Sequence, residues 1–480
     1  MGKQPETCDP KTTLPIYEQL SSASPEQRRL LVLSLLAKHP HNILELPLEN
    51  GVGASLNGID LSQDGNSHAD KTAGQQNSPS ALYPAISLAR SLLPGASLEM
   101  ANLSGLDLSQ ANLSGAILRK ANLCHSNLEQ ANLEQADLAG AQLQRASLGK
   151  CNLQGAKLEE IDLRAATMRF SQLQNAVLEG GNLQGADLWG SDMRNAILKG
   201  ANVRNVILNE SDLSGADASD ATFADTSFVR AHLSQVDFSN SDLRGADLRH
   251  ANLDRAIFSG AQLSGVDLSS CIISNACFAG ALLNLTQMSV DQLAGAAGEE
   301  LIGDYEAARK SYLALERNFK SLSDSDGASW AYAKRRRMQK KLALHKAMAA
   351  IKSRQTVHAF RFIAAYISDQ IVEYACDYGE SISRVMASLL VVYVFFIGLY
   401  GITGSVTRIV ETPHGAVRVV TRELVDLAIF SLLAITTSGS PTVGLQPSHE
   451  LVHLLTGIEA LLGIALTGLL GFVLGNRIRR

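Results

Sequence analysis

The sequence predicts a quadrilateral β-helix over residues 96–285, then a helical hairpin, then a two-helix transmembrane module with a re-entrant segment between its spans. Three observations predict it. A centre residue recurs at every fifth position from Leu98 to Leu283 without a slip of register, helical patterning begins where that period fails, and long apolar runs occupy the C-terminal hundred residues. A chain of 480 residues has room for two or three domains, each large enough to bury a core. An aromatic content of only 5% suits a narrow, repetitive core better than a bulky one.

At the N-terminus, Ser24-Pro25-Glu26-Gln27 is a capping box with proline at the first helical position, and it opens a helix through about Lys38. No charged segment followed by an apolar run is present there, so no signal peptide is visible. Residues 1–50 read as a helical cap. Ala54-Ser55-Leu56-Asn57-Gly58-Ile59-Asp60-Leu61 holds two units of the five-residue pattern, but Leu61 lies 37 residues before Leu98 and so out of register. The Gln63–Pro79 stretch, rich in Gly, Ser and Asn, reads as a loop or disordered insertion. Residues 51–95 are thus first strands plus an insertion, and with the helix they are expected to cap the open end of the solenoid.

From Leu98 to Leu283 there are 38 centres, of which 37 are Leu, Phe, Met, Ile or Val, Ala218 being the exception. Two positions before each centre stands a small residue, as at Ala101, Ala111, Ala121 and Ala131, and Asn or Asp commonly separates the two. Five residues advance an α-helix by about 500°, some 140° past a full turn, so successive centres would define no face. A strand period of two fits no better. A square coil with one pentapeptide per side turns every centre and every small residue inward. Stacked coils then pair their backbones as parallel neighbours at roughly 4.8 Å, which makes 9.5 coils a rod of about 45 Å.

This A(D/N)LXX pattern resembles the pentapeptide-repeat family, and the resemblance implies a right-handed β-helix without catalytic function. Phe223, Phe228, Phe238, Phe258 and Phe278 replace leucine in the second half, where aromatic stacking in a wider core is expected. The larger inward residues Leu106, Ile161, Val206, Val236 and Val266 trade volume with their neighbours. Six cysteines show neither metal-ligand spacing nor a framework pattern, and Cys151 and Cys271 fall on inward positions as reduced structural thiols. Residues 96–285 carry 14 Lys+Arg against 21 Asp+Glu, a net of −7, whereas residues 301–480 carry 21 against 14, a net of +7. The two halves therefore face different partners.

Residues 286–380 read as a helical linker. Helices over 300–322 and 328–354, joined by Ser323-Asp324-Ser325-Asp326-Gly327, would meet through Tyr305, Tyr312, Leu315, Phe319, Trp330 and Tyr332, and this short stretch resembles a tetratricopeptide-type hairpin. The second helix carries Lys334, Arg335, Arg336, Arg337, Lys340, Lys341, Lys346, Lys352 and Arg354. Ahead of a membrane segment, a charged juxtamembrane face is preferred over nucleic-acid binding.

Residues 381–480 form the membrane module. Val385–Thr407 holds no charged residue and is long enough to span a bilayer, and Ala460–Asn476 is a second apolar run, extended upstream by Leu451–Ile458 and interrupted by Glu459. Leu427–Ser438 is apolar but too short to cross, the length of a re-entrant helix. Basic residues precede the first span (Arg354, Arg361, Arg384) and follow the second (Arg477, Arg479, Arg480), which puts both ends and the rod in the cytoplasm, against the pull of Arg408, Arg418 and Arg422 in the connecting loop.

The C-terminal portion, over roughly residues 300–480, looks like the two-helix ion-channel module that follows pentapeptide repeats in some bacterial proteins. Ala328-Ser329-Trp330-Ala331-Tyr332 with Arg335-Arg336-Arg337-Met338, Tyr378-Gly379-Glu380, Phe430-Ser431, Thr436-Thr437 and Gly457-Ile458-Glu459-Ala460-Leu461-Leu462-Gly463 carry the likeness. It implies a homotetramer in a bacterial inner or internal membrane, in which four re-entrant helices aim their C-terminal carbonyls at a monovalent cation. Potassium channels present Thr-x-Gly-Tyr-Gly. Here Thr437-Ser438-Gly439-Ser440-Pro441 stands in that place, and the positive φ that the second glycine supplies is closed to proline. Thr442-Val443-Gly444-Leu445 is an alternative filter that needs a five-residue insertion after the pore helix. Selectivity for potassium is accordingly expected to be weak. The filter candidates are Thr436, Thr437, Ser438, Gly439, Ser440, Thr442, Val443 and Gly444.

Glu459 reads either as a functional intramembrane carboxylate or as a structural hydrogen-bonder of the pore loop. Gly463, Gly468, Gly471 and Gly475 allow close packing or a hinge, so Glu459, Gly463 and Gly468 complete the candidate site. No catalytic constellation, metal-ligand cluster or cofactor motif is visible, and His449 and His453 form only a lone pair four residues apart. Three functions remain open: a cation-conducting channel with a cytoplasmic rod that docks a protein partner, a non-conducting membrane-anchored scaffold, and a DNA mimic that binds gyrase. Bilayer lipids surround the first two, and nucleic acid is not an expected partner.

Overall fold

The computed structural model describes residues 23–38, 88–379, 381–404, 406–412, 415–436, 445–448 and 450–478. The chain forms two compact units, residues 1–328 and 329–480. The expected strands at 51–87 and the polar insertion lie outside the described residues.

In the first unit, helix α1 (Pro25–Lys38) opens as its sequence dictates. The Ser24 N–H donates to Gln27 Oε1 at 3.0 Å and the Gln27 N–H donates back to Ser24 Oγ at 3.4 Å, the reciprocal pair of a capping box. The described part of the rod begins at Leu88. Each residue that precedes a centre pairs in parallel with the residue twenty positions on, as Asn102 with Asn122 and Asn122 with Gln142, so a coil is four pentapeptides. The centres are buried throughout, Ala218 among them. One Phe ladder stacks coil upon coil: Phe238–Phe258 at 5.5 Å and 5° between ring planes, then Phe258–Phe278 at 5.5 Å and 14°. Phe223 meets Phe238 edge-on at 5.4 Å.

The corners explain two features of the repeat. The chain turns after each centre, with the small residue's N–H donating to the centre's carbonyl, as Ala101 to Leu98 at 3.1 Å. The second residue after the centre takes a positive φ, +70° at Gly105 and +73° at Gly245, which glycine adopts without strain. Asn and Asp before the centre cap the same turn: Asp107 Oδ1 accepts from the Ser109 N–H at 3.1 Å, and Asn112 Oδ1 from the Ser114 N–H at 3.2 Å. Their amides also form ladders along the rod, Asn152 to Asn132 at 3.1 Å and Asn132 to Asn112 at 3.3 Å.

Burial pushes the Cys151 thiol up to about 12, and likewise that of Cys271, against the partly offsetting backbone hydrogen bonds. A raised thiol pKa means almost no thiolate at neutral pH. Both cysteines should therefore stay unalkylated by iodoacetamide at pH 8 in the folded chain and react fully in urea, as read by peptide mass spectrometry. Rapid native labelling of Cys151 would contradict an inward thiol.

The rod's C-terminal end is closed by a 3-10 turn (Asp291–Leu293), α2 (Gly298–Leu301) and α3 (Tyr305–Ser321). Inside the rod a centre's N–H donates to the next coil, as Phe258 to the Cys277 carbonyl at 2.8 Å. At the last coil that partner is missing and side chains replace it. Phe278 N–H donates to Ser311 Oγ at 3.0 Å, Ala279 N–H to Glu299 Oε1 at 3.0 Å and Leu285 N–H to Ser321 Oγ at 2.9 Å. Asn318 accepts from the Thr286 N–H at 3.0 Å and donates to the Thr286 carbonyl at 2.9 Å. Tyr312 accepts from the Ala297 N–H at 3.0 Å and donates to Glu300 Oε2 at 2.5 Å. The inward side chains of this helix thus close an open coil edge, a use that the hairpin expectation did not include.

Asn318→Ala strands the buried carbonyl of Thr286, whose N–H keeps the Leu283 carbonyl at 2.7 Å, and an unmet buried group costs about 1–3 kcal/mol. Hydrogen exchange should quicken in peptides over 263–287 and stay unchanged near 150. Unchanged protection over 263–287 would contradict the cap.

In the second unit, α4 (Ser325–Lys352, its first turn in the first unit) pairs with α5 (Thr356–Cys376), a helix that the repeat-to-membrane reading did not single out. Arg336 bonds Asp369 at 2.5 Å, Arg337 bridges Glu373 at 3.1 Å and Asp377 at 2.9 Å, and Lys340 also reaches Glu373. Part of the basic face expected to confront lipid is therefore neutralised within the chain. Asp377, Tyr378 and Gly379 all take positive φ, turning the chain into α6 (Ile382–Thr403). Strands β1 (Val406–Thr412) and β2 (Gly415–Val420) form a hairpin, α7 (Leu424–Ile435) follows, and β3 (Leu445–Pro447) pairs antiparallel with the other edge of β1, giving the order β2-β1-β3. Helix α8 (Glu450–Ile478) closes the chain.

Candidate functional site

Among the described residues two helices are long and apolar enough to cross a membrane, Ile382–Thr403 and Val452–Gly475 within α8. Only 17% and 22% of these stretches is buried within the chain. The first begins where Ser381 caps the Arg384 N–H at 3.2 Å and stops at Gly404, whose φ of +62° breaks the helix. It is shifted about one turn upstream of the expected 385–407, since Val406 and Thr407 join β1. Glu459 does not interrupt the second helix, which runs through it.

Helix α7 packs against both long helices. Phe396, Tyr400, Val406, Leu427, Phe430 and Val452 form their shared core. Its first turn sits by the sheet: Asp426 accepts from Thr421 Oγ1 at 2.8 Å and pairs with Arg408 at 3.4 Å, with the acid at the helix N-terminus that a carboxylate favours. Its last turn reaches Gly463, midway along the apolar stretch of α8. A Cβ on Gly463 would lie 2.2 Å from the Ile435 carbonyl oxygen, so glycine is what lets the two backbones meet. Twelve residues at 1.5 Å give about 18 Å, against roughly 30 Å for a hydrocarbon core. The chain enters at the sheet, ends α7 at mid-height, and is back at the sheet by Leu445, since β3 pairs with β1 there.

Glu459 is fully buried at the junction of three helices. Tyr400 of α6 donates to its Oε2 at 2.7 Å, and Ser431 of α7 donates to its Oε1. These two partners were not named from the sequence. Their signal was there, in a tyrosine and a serine on apolar helices, but neither helix alone says which carboxylate they meet.

Of the filter candidates, Thr436 ends α7, is exposed, and turns its hydroxyl back to the Leu432 carbonyl at 2.7 Å. Thr437, Ser438, Gly439, Ser440, Thr442, Val443 and Gly444 lie outside the described residues, as does His449, while His453 is exposed on α8. Gly468, Gly471 and Gly475 meet no atom within 4 Å of an added Cβ, so they contribute no close contact within this chain.

A profile of pentapeptide repeats matches residues 86–119, 116–155, 146–183, 171–209, 211–250 and 246–284. Among solved structures, the chain is similar to HetL, a pentapeptide repeat protein involved in heterocyst differentiation regulation from the cyanobacterium Nostoc sp. strain PCC 7120, at 29% identity over 40% of this chain and 86% of that one, with a TM-score of 0.39. It is similar to QnrB1, a plasmid-mediated fluoroquinolone resistance protein, at 18% identity over 45% of this chain and 92% of that one, with a TM-score of 0.27. A pentapeptide repeat protein of the Arabidopsis thaliana thylakoid lumen shares 33% identity over 22% of this chain and 69% of that one, with a TM-score of 0.14. No curated protein matches the chain.

Proposed function

With residues 86–284 a pentapeptide-repeat rod and two helices of membrane-crossing length behind it, we propose that the protein is an oligomeric, channel-like membrane protein whose rod is a cytoplasmic docking scaffold. The observation that carries this reading is the short helix α7, which ends at mid-height against Gly463 and returns to the sheet it left. Inside a bilayer a helix C-terminus with open carbonyls is tolerated only where protein or a water-filled cavity covers it. Copies of the chain arranged around an axis supply both, and the negative end of the helix dipole favours a cation there. Without the full potassium filter in its sequence, the pore passes monovalent cations with weak preference for potassium. The basic residues that precede the first span and follow the second favour both termini, and the rod, on the cytoplasmic side.

The non-conducting scaffold has its own support. Phe170, 48% exposed, meets Trp189 edge-on at 4.7 Å on the rod's outer surface, the kind of aromatic patch that binds a protein partner. The gyrase-binding reading has less. Asp162, Asp192, Asp242 and Asp247 are each paired with an arginine two residues on, which lowers the rod's capacity to imitate a run of phosphates.

Mass measurement of the detergent-solubilised full chain tests assembly. A particle of four 51.3 kDa chains is expected. A monomer at micromolar concentration would end the channel reading and leave the anchored scaffold.

A further inference from the structure

The helix before the first apolar span carries a surface that stands exposed among the described residues. Along α5, Val357, Phe360, Ile363, Ile367, Ile371 and Tyr374 are all exposed. At 100° per residue these six fall within an arc of about 120°, the width of the apolar stripe that an amphipathic helix normally buries. On α4, Leu344, Met348 and Ile351 are exposed at the spacing of one helix face.

Charge divides the same way. Asp369 and Glu373 lie on the side of α5 away from the stripe and are held by Arg336, Arg337 and Lys340 of α4. From residue 327 to residue 368 the sequence holds ten Lys+Arg and no Asp or Glu. Arg361 is exposed at the stripe's edge, and Lys352, Arg354 and His358 are exposed around the turn between α4 and α5. Only residues 377–380 separate α5 from the Ser381 cap of α6, a tether of at most about 18 Å when extended. A helix with these acids and Arg361 is too polar to span, yet it cannot leave the neighbourhood of the span it precedes.

We propose that α5 lies in the headgroup layer of an anionic bilayer, with its Phe360–Tyr374 stripe among the acyl chains and the exposed basic residues Lys352, Arg354 and Arg361 against lipid phosphates. This rests on reading α6 and α8 as membrane spans. Nucleic acid would answer the charge but not a stripe of six apolar side chains, whereas a lipid surface answers both.

The test uses the full chain in phosphatidylcholine–phosphatidylglycerol vesicles, with Trp189→Phe and Trp330→Phe removing the native tryptophans. Into this background go Ile367→Trp or Ile371→Trp on the stripe, and Val394→Trp on the exposed face of α6. Lipids brominated close to the headgroup should remove most of the emission from position 367 or 371, and lipids brominated deep in the chain most of that from 394. Quenching at 394 with none at 367 and 371 overturns the interfacial helix while leaving the spans intact. Blue-shifted but unquenched emission at 367 means that a second copy covers the stripe, and it overturns the proposal equally. So does a response of position 367 to duplex DNA without any to brominated lipid. Absence of quenching at 394 as well removes the membrane reading beneath it.

Discussion

Gly463→Leu is expected to separate α7 from α8 and abolish ion flux through the reconstituted protein, while leaving the urea transition of the rod unchanged. The contact it breaks is between backbones. A Cβ would stand 2.2 Å from the Ile435 oxygen and 3.1 Å from its Cα, and neither atom belongs to a side chain that could rotate away. Overpacking in a well-packed core costs about 1–3 kcal/mol, and here it acts at the end of the helix that sets the depth of the re-entrant loop. The displacement also pulls Ser431 from the carboxylate that Tyr400 shares, so Glu459 loses one of its two donors in an apolar surrounding. Gly463→Ala should give a partial loss. Full flux from Gly463→Leu would mean that α7 does not set the path.

In the rod, the largest effect is expected from Phe238→Ala. Its ring stacks on Phe258 at 5.5 Å and touches Phe223 at 5.4 Å and Phe228 at 6.3 Å, fully buried between coils. Truncating a buried phenylalanine costs about 3–5 kcal/mol, and the narrow coil has no loop that could collapse into the space. Urea unfolding should shift accordingly, whereas Phe170→Ala, on the outer surface, should move it by less than about 0.5 kcal/mol. Equal shifts for the two would contradict the assignment of inside and outside.

The rod was legible in the sequence because its geometry is local. A period of five allows one closed arrangement that turns all centres inward, and Ala218, the exception in the pattern, is buried like its neighbours. The reason for Asn and Asp before the centres needed coordinates, since one side chain, as Asn112, caps its own turn and joins a ladder whose rungs lie twenty residues apart. The capping role of α3 was not legible, for a physical reason. Ser311, Asn318 and Ser321 look like a solvated face until the unpaired edge of the last coil is placed against them.

In the second unit, apolar length alone located the two long helices and the short one between them, each within about a turn of where it stands. The ion pairs of α4 with α5 were not legible, because they join residues more than thirty positions apart and a run of basic residues carries no mark of its partners. Strands β1 and β2 sit in what reads as a charged loop, and their pairing with β3 is what brings the re-entrant chain back. Glu459 stood out as a carboxylate in an apolar run, but its two donors come from different helices and only the packing of all three unites them.

Cation flux from proteoliposomes tests the account most directly. Purified full-length protein of tetrameric mass, reconstituted and loaded with potassium, is predicted to release potassium and to admit sodium at a similar rate, and the Gly463→Leu protein to do neither. An intact, correctly assembled tetramer that passes no cation at all would contradict it.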